Sequence, residues 1–342
     1  RFLPEREDKQ ELINSCLTIS FIFSLALALI FIAGINIWSP SLSITRENKI
    51  LLLLFVAFTA IAPLLTLQKQ GVFVGFRKAE YSFLQTVVML TRIGIVPFLV
   101  TFGTLGIYAS CGLGSVLAFG LGILLTSKVF PYKPIPVIKR EIVNDVFHFS
   151  FGNYLASIFG SLPTFIFPLL VINVLGAEKN AYFYIAWQIS MLLLAVPRFT
   201  DMSLLAEGSF NRKTLRKNVK RSLKFIFLLL IPMIIIIFLF GKHVLWLFGE
   251  EYAINSFRVL LILVLGSIPF AINAIYTTIK KVQKKVKPVI YVSGSVALLT
   301  IGGSYLLIQT MGLVGIGIAW AVGNTIVAIV TGLKMKRLLE LI

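Results

Sequence analysis

The chain has 342 residues, of which 58% are hydrophobic and only 13% are charged, and its formal net charge is +18. Soluble domains contain about 25% charged residues, so this composition excludes a protein that is surrounded by water on all sides. Its cysteines, Cys16 and Cys111, lie inside apolar runs, and its histidines, His148 and His243, stand far apart, so neither a disulfide framework nor a metal cluster is indicated.

Ten apolar stretches are long enough to span a bilayer, which takes about 20 residues of helix. The runs are continuous and lack the alternation of a membrane β-barrel, so each of them predicts a helix. In chain order they cover residues 12–38, 49–68, 82–102, 105–127, 146–175, 180–206, 223–240, 257–279, 288–309 and 312–333. The predicted fold class is an all-α integral membrane protein with about ten transmembrane helices.

The connections between these helices alternate in charge. By the positive-inside rule the basic connections face the cytoplasm, which predicts a multi-pass protein of the cell membrane with both ends of the given chain in the cytoplasm. Such segments attract anionic headgroups, so membrane lipids are expected partners and nucleic acid is not. The basic connections hold Arg1, Arg6, Lys9, Lys69, Arg77, Lys78, Lys128, Lys133, Lys139, Arg140, Arg212, Lys213, Arg216, Lys217, Lys220, Arg221, Lys224, Lys280, Lys281, Lys284, Lys285, Lys287, Lys334, Lys336 and Arg337, and the opposite set holds only Arg46, Lys49, Lys179, Lys242 and Arg258.

A phrase in the first third of the chain returns near its end. The two segments are FGTLGIYASCGLGS at 102–115 and MGLVGIGIAWAVGN at 311–324. Both have glycine at their second and fifth positions, and both end with a glycine followed by a polar residue. Three landmarks in register indicate an ancient duplication in which helices one to four correspond to helices seven to ten. The matched landmarks are Gly103 with Gly312, Arg77 with Lys284, and Pro63 with Pro269, at offsets of 209, 207 and 206 residues.

The duplication predicts a larger architecture than the given chain. Helices five and six lack counterparts, and Arg1 corresponds to Glu207, so about 66 further residues with two helices are expected before Arg1 in a twelve-helix protein of two parallel six-helix bundles. In the given chain this predicts an incomplete four-helix bundle over residues 1–140 and a six-helix bundle over residues 141–342. Secondary transporters with parallel repeats rock two such bundles around a central site.

Four stretches carry a resemblance to a known family. They are RFLPE at 1–5, FSFGNYLASIFGSLPTFIFPLLVINVLGAEKNAYFYIAWQI at 149–189, LWLFGEEYAINSFRVLLIL at 245–263 and MGLVGIGIAW at 311–320. They resemble the Wzx-type polysaccharide flippases of the multidrug/oligosaccharidyl-lipid/polysaccharide exporter superfamily. In that family the Arg-Phe-Leu-Pro phrase follows the second helix, which agrees with the two helices expected before Arg1.

The resemblance implies a flippase that moves a lipid-linked oligosaccharide or polysaccharide precursor across the cytoplasmic membrane by alternating access. It implies no enzymatic activity and no cofactor. The implied partners are a polyprenyl-linked oligosaccharide and polysaccharide-synthesis glycosyltransferases or a polymerase. Two alternatives stay open: a cation-coupled multidrug or small-solute exporter of the same superfamily, and an assembly protein in a polysaccharide-synthesis complex.

Charged and polar residues inside the helices are the candidates for a substrate path, because a charge at the bilayer midplane costs about 3 kcal/mol or more. Arg92 lies at the centre of the third helix and shares a face with Gln85. In the sixth helix Arg198 and Asp201 are one turn apart, and Gln188 lies on the face behind Arg198. A purely structural interpretation is also open: Arg92 bonds to a nearby carbonyl group, and Arg198 and Asp201 neutralise each other.

Smaller polar side chains are more ambiguous. Asn153 and Ser157 belong to a polar stripe on the fifth helix, which suits cavity lining and helix contact equally well. For Asn273 and Thr277 on the eighth helix, packing is the favoured interpretation. The glycines of the repeated phrase are expected to permit close helix contact. No catalytic residue and no metal ligand is predicted.

Overall fold

The computed structural model describes residues 3, 6–35, 49–129, 131–210 and 214–341, apart from the side chains of 104, 145, 148 and 338–341. Arg1, Arg46, Arg212, Lys213 and most of the RFLPE phrase lie outside this part. The described helices are α1 (Lys9–Ala33), α2 (Lys49–Thr66), a π-helix (Leu67–Phe73), α3 (Ala79–Leu99), a 3-10 turn (Val100–Phe102), α4 (Gly103–Val129), α5 (Arg140–Leu175), α6 (Ala177–Phe210), α7 (Leu215–Trp246), α8 (Glu250–Leu265), α9 (Ser267–Val282) and α10 (Val286–Leu341).

Within the described residues, nine helical segments are long and apolar enough to cross a membrane. The ninth runs over 52 residues, Val286–Arg337, and as one straight helix it would be about 78 Å long, more than twice the thickness of a hydrocarbon core. It breaks at Gly312, where φ is 58° and ψ is −138°. The break divides it into two crossings, close to the two predicted for this region. The predicted all-α membrane fold is confirmed.

The repeated phrase forms the same turn twice. Gly103, between α3 and α4, has φ 64° and ψ −143°, nearly the values of Gly312. A Cβ built on Gly106 would lie 1.7 Å from the Leu99 carbonyl oxygen, and one on Gly315 would lie 2.5 Å from that of Leu307. Only glycine permits such a backbone approach, so the predicted role of these glycines in close helix contact is confirmed.

Glycines along the α10 arms show how the arms pack after the turn. Added Cβ atoms would lie 3.1 Å from the Ala319 Cβ at Gly303, and 2.8 Å from the Thr300 Cγ2 at Gly323. The residue closer to Gly312 on one arm faces the residue closer to Gly312 on the other arm, so the two arms are antiparallel. In the first hairpin a Cβ on Gly114 would likewise lie 3.1 Å from the Arg92 Cβ.

The second pair of landmarks also shares its geometry. Arg77 and Lys284 are the non-glycine residues with positive φ in the described chain, at 56° and 58°. Lys78 N–H donates to the Phe73 carbonyl and Lys285 N–H to the Lys280 carbonyl, at 2.8 and 2.9 Å. Both are Schellman turns that close a helix on a left-handed residue. The agreement at both landmarks supports the duplication that the sequence indicates.

Contacts divide the chain into two compact units, Arg1–Val146 (unit 1) and Phe147–Ile342 (unit 2). Unit 1 extends six residues beyond the predicted boundary at 140, because the first turns of α5 pack into its core. There Ile142 joins Leu12, Phe73 and Leu125. Unit 2 has a larger core centred on aromatic rings, with Trp187 and Trp320 5.2 Å apart and Phe167 5.3 Å from Trp187.

Hydrogen bonds and an ion pair hold the segment 131–139 of unit 1 along α1. The Tyr132 hydroxyl donates to Asn14 Oδ1 at 2.7 Å, and Asn14 Nδ2 donates to the Lys133 carbonyl at 3.0 Å. Burial raises the pKa of Tyr132 to about 12, so its hydroxyl keeps the proton that it donates. Lys139 pairs with Glu11 at 2.8 Å. The segment therefore needs no regular secondary structure of its own.

The turn at Gly312 provides a test of the fold. Gly312→Ala forces an L-residue into a left-handed conformation, which costs about 2 kcal/mol. We expect a lower apparent melting temperature in detergent. Gly302→Ala is the matched control, because Gly302 is helical and an added Cβ meets nothing within 4 Å. An equal loss of stability in both variants would contradict the assigned turn.

Candidate functional site

A cavity of about 220 Å³ lies inside unit 2, among α5, α6, α9 and both arms of α10. Its lining combines one cation, one carboxylate, amide and hydroxyl groups, and aromatic rings. The polar lining residues are Arg198, Asp201, Asn273, Thr277, Ser293 and Asn324, and the rings are those of Phe159, Phe270 and Trp320. Ligand pockets usually measure about 300–1,000 Å³, so this cavity suits a phosphate or a single sugar ring rather than a whole oligosaccharide.

Arg198 provides the positive charge of the cavity. Its guanidinium lies 5.9 Å from the centre of the Phe270 ring, and its Nη2 lies 3.8 Å from the Met191 sulfur. No carboxylate within the described chain forms an ion pair with it. An aromatic face and a thioether orient the guanidinium without neutralising it, so its charge and N–H groups remain available to an anion.

Asp201 is influenced by groups of α9 and forms no ion pair with Arg198. The groups of α9 that act on its carboxyl group are the Thr278 hydroxyl and the Lys281 ammonium. Its Oδ1 atom is buried and has no hydrogen-bond partner among the described residues. The sequence left open whether Arg198 and Asp201 neutralise each other, and the structure contains no such ion pair.

Amide groups form a network that joins α9 to the second arm of α10. Asn273 Nδ2 donates to the Asn324 carbonyl at 3.0 Å, and the Thr331 hydroxyl donates to Asn273 Oδ1 at 2.8 Å. Asn324 Nδ2 donates to the Trp320 carbonyl at 2.9 Å, while its Oδ1 is buried without a partner in the described part of the chain. Asn273 therefore packs helices, as favoured, and also lines the cavity.

The other predicted path residues of unit 2 lie outside this cavity. Gln188 is exposed and donates to the Tyr184 hydroxyl at 2.9 Å. Asn153 donates to the Phe149 carbonyl of its own helix at 2.8 Å. Ser157 is exposed and lies one turn before Gly160, which does line the cavity. Their place in a substrate path stays a prediction.

Arg92 and Gln85 belong to unit 1. Arg92 is half-buried where α3 meets α4, beside Gly114, and it forms no ion pair with any residue that the structure describes. Gln85 is fully buried and donates to Gln68 Oε1 at 2.9 Å and to the Ala118 carbonyl at 3.0 Å. These bonds give Gln85 a packing role, so the path proposed below relies on Arg92 and not on Gln85.

Sequence reasoning missed several residues at this site, among them two that line the cavity and one cation near Asp201. Asn324 and Trp320 lie in the last five residues of the repeated phrase. The interpretation of that phrase considered only its glycines. An asparagine in an apolar span is costly unless its amide is satisfied, and that signal was available. Lys281 was counted with a basic loop, but α9 continues to Val282 and places Lys281 beside Asp201.

Comparison with known proteins identifies the family. The sequence profile of the family described as "Polysaccharide biosynthesis protein" matches residues 1–199, more than half of the chain. The chain belongs to the polysaccharide biosynthesis protein family. The MatE profile matches residues 153–306 of this family member. Both matches confirm the predicted superfamily of multidrug, oligosaccharidyl-lipid and polysaccharide exporters.

A Shigella flexneri protein named "Putative O-antigen transporter" is similar to this polysaccharide biosynthesis protein. The two are 29% identical over 185 residues, which cover 51% of this chain and 43% of the relative. The aligned region thus spans less than half of the relative's length.

Solved MATE structures share the fold of this polysaccharide biosynthesis protein. A crystal structure of MATE in the straight conformation has a TM-score of 0.80 and 19% identity, and a mutant of a Vibrio cholerae MATE transporter has 0.81 and 15%. In each comparison 98% of this chain matches 80% of the other. A superfamily transporter from Pyrococcus furiosus, whose title mentions a binding pocket of reversed polarity, has a TM-score of 0.74 and 20% identity, with 97% of this chain matching 80% of that one.

The partner of Asp201 can be identified by substitution. Lys281→Gln removes the cation whose charge acts on the Asp201 carboxyl group and is expected to lower stability by about 1 kcal/mol. Arg198→Gln removes no ion pair and should change stability by less than about 0.5 kcal/mol. The double variant Asp201→Asn, Lys281→Gln should recover most of the loss. Apparent melting temperatures in detergent test this order, and a larger loss for Arg198→Gln than for Lys281→Gln would reverse the assignment.

Proposed function

We propose that this protein is a flippase that translocates a lipid-linked oligosaccharide or polysaccharide precursor across the cytoplasmic membrane by alternating access. The observation that carries the proposal is the cavity in unit 2, where Arg198 presents an unneutralised charge beside amide groups and the Trp320 ring. Diphosphate-linked sugars combine an anionic group with polar rings, and guanidinium, amide and aromatic groups bind these parts. The similarity to the Shigella relative supports this substrate class.

Each arginine has a separate part in the proposed mechanism. A headgroup with two phosphates and several sugars exceeds about 220 Å³, so the unit 2 cavity would hold only a portion of it. Arg92 lies in the middle of the third membrane span, in unit 1, and would supply a second cationic contact. An anion that loses water on entering the membrane needs such charges, because burial of an unpaired charge is costly. The lipid tail would stay in the bilayer.

The alternative of a cation-coupled exporter has one observation in its favour. The buried Oδ1 atom of Asp201 has no hydrogen-bond partner among the described residues, as expected of a proton or cation site. Lys281 acts on the same carboxyl group, however, and already provides a positive charge there. The relatives that the chain matches are transporters rather than enzymes, so an enzymatic alternative is not proposed.

The flippase proposal predicts that the two arginines are required for their charge. Arg92→Gln and Arg198→Gln should each abolish surface polysaccharide at normal membrane expression. Lysine at either position should restore part of it, because lysine keeps the charge but not the planar fork. Arg258→Gln is the matched control, since Arg258 is an exposed helical arginine that does not line the cavity.

The outcomes separate the two candidate functions. Normal export by both Arg→Gln variants would refute the cationic path. Asp201→Asn should be tolerated by a flippase that uses Arg198 for binding. A variant Asp201→Asn that loses ion-dependent efflux of a cationic dye, while Arg198→Gln retains it, would support the exporter.

The proposed orientation has its own test. After replacement of Cys16 and Cys111, cysteines introduced at Glu250 and Lys217 report on opposite ends of α7, and both positions are exposed. Because the segment before α7 is rich in basic residues, we expect a membrane-impermeant maleimide to label Glu250→Cys in intact cells and Lys217→Cys only after lysis. The opposite pattern would invert the topology.

A further inference from the structure

A long groove between α6 and α7 lies apart from the cavity just described. Its volume is about 850 Å³, and it follows α6 from Ala195 to Glu207 and α7 from Asn218 to Leu229. At 1.5 Å per residue these stretches rise about 16 to 18 Å, which is close to half of the hydrocarbon core. The groove therefore has the depth of one leaflet.

The two ends of the groove differ in chemistry. At the end where α7 begins, its lining includes Asn218, Arg221, Ser222 and Lys224 from α7, together with Glu207 from α6. Towards the middle of the two spans the lining becomes apolar. There it consists of Ala195, Val196, Phe199, Phe225, Leu228 and Leu229, and Thr200, Ser203 and Leu204 line the groove between this part and Glu207.

The charged end carries an excess of positive charge. The Arg221 and Lys224 side chains are exposed, and neither has a carboxylate partner within the part of the chain that the structure describes. Three and four residues apart on a helix, side chains share a face, so the two cations project from the same side of α7. Neighbouring amide and hydroxyl groups of Asn218 and Ser222 can hydrogen-bond uncharged polar groups.

We propose that this groove binds one anionic glycerophospholipid, with its phosphate on Arg221 and Lys224 and an acyl chain along Phe199 and Leu228. The phosphodiester matches the two cations, the glycerol hydroxyls match Asn218 and Ser222, and the depth of the groove matches a chain that ends at the bilayer midplane. A polyprenyl carrier chain is longer than one leaflet and would extend past the apolar end. The proposal concerns a lipid of the membrane itself and does not depend on the transported substrate.

Native mass spectrometry of the detergent-purified protein, titrated with phosphatidylglycerol or phosphatidylethanolamine, tests this site. We expect phosphatidylglycerol to bind preferentially. Each basic contact to an anionic lipid contributes about fivefold, so the variant Arg221→Gln, Lys224→Gln should bind it about 25-fold more weakly. The matched control is Lys217→Gln, Lys220→Gln, which removes two exposed charges from the same helix outside the groove and should stay within about twofold.

A second variant blocks the acyl chain without a change in charge. Ala195→Trp fills the apolar end and should also weaken phosphatidylglycerol binding, whereas Leu192→Trp, on an exposed position of α6 outside the groove, should not. Equal losses in the two charge variants, no preference for phosphatidylglycerol, or unchanged binding in Ala195→Trp would each overturn the proposal. Displacement of phosphatidylglycerol by equimolar undecaprenyl phosphate would overturn it too and would assign the groove to the carrier lipid. Surface polysaccharide export is measured separately, so failure of either proposal leaves the other testable.

Discussion

Every backbone polar group of this chain must find its hydrogen-bond partner within the chain wherever hydrocarbon surrounds it. Helices meet this requirement, and a change of direction is possible only where the carbonyl groups of a helix end are satisfied. Gly103 and Gly312 turn the chain within one or two residues, and Arg77 and Lys284 close their helices with Schellman bonds. These four positions allow long apolar helices to pack side by side as hairpins.

The polar side chains inside the membrane spans differ in the partners that they find. Gln85 is bonded to Gln68 and a carbonyl group, and Asn273 is bonded to Asn324 and Thr331. Such groups stabilise helix contacts in a membrane. Arg198 and the Oδ1 atom of Asp201 lack an equivalent partner in the described residues, although both line the same cavity. The combination of an unneutralised guanidinium with unsatisfied oxygen atoms in one cavity is the physical basis for the ligand that we propose there.

Much of the fold could be predicted from the sequence because hydropathy, loop charge and glycine spacing are local or periodic signals. The duplication was visible at Gly103 and Gly312, whose backbone angles agree within about 6°. The site was only partly predictable. Spacing along α6 placed Arg198 next to Asp201, but a cation that acts on the Asp201 carboxyl group is Lys281, which lies 80 residues away in sequence. Periodicity also could not distinguish the bonded Gln85 from a cavity residue, because its partners come from two other helices.

The two hairpins also differ at one matched position. Arg92 faces Gly114 in the first, while Thr300 faces Gly323 in the second and donates its hydroxyl to the Ala297 carbonyl. A small, internally satisfied side chain is thus compatible with this place in the hairpin, so its architecture does not demand an arginine. The two hairpins are versions of one scaffold, and at this position the first carries a charge while the second carries a hydroxyl group. The second hairpin therefore serves as a comparison within the same chain. It shows that the hairpin folds without a charge at this position, so the charge of Arg92 is not a requirement of folding.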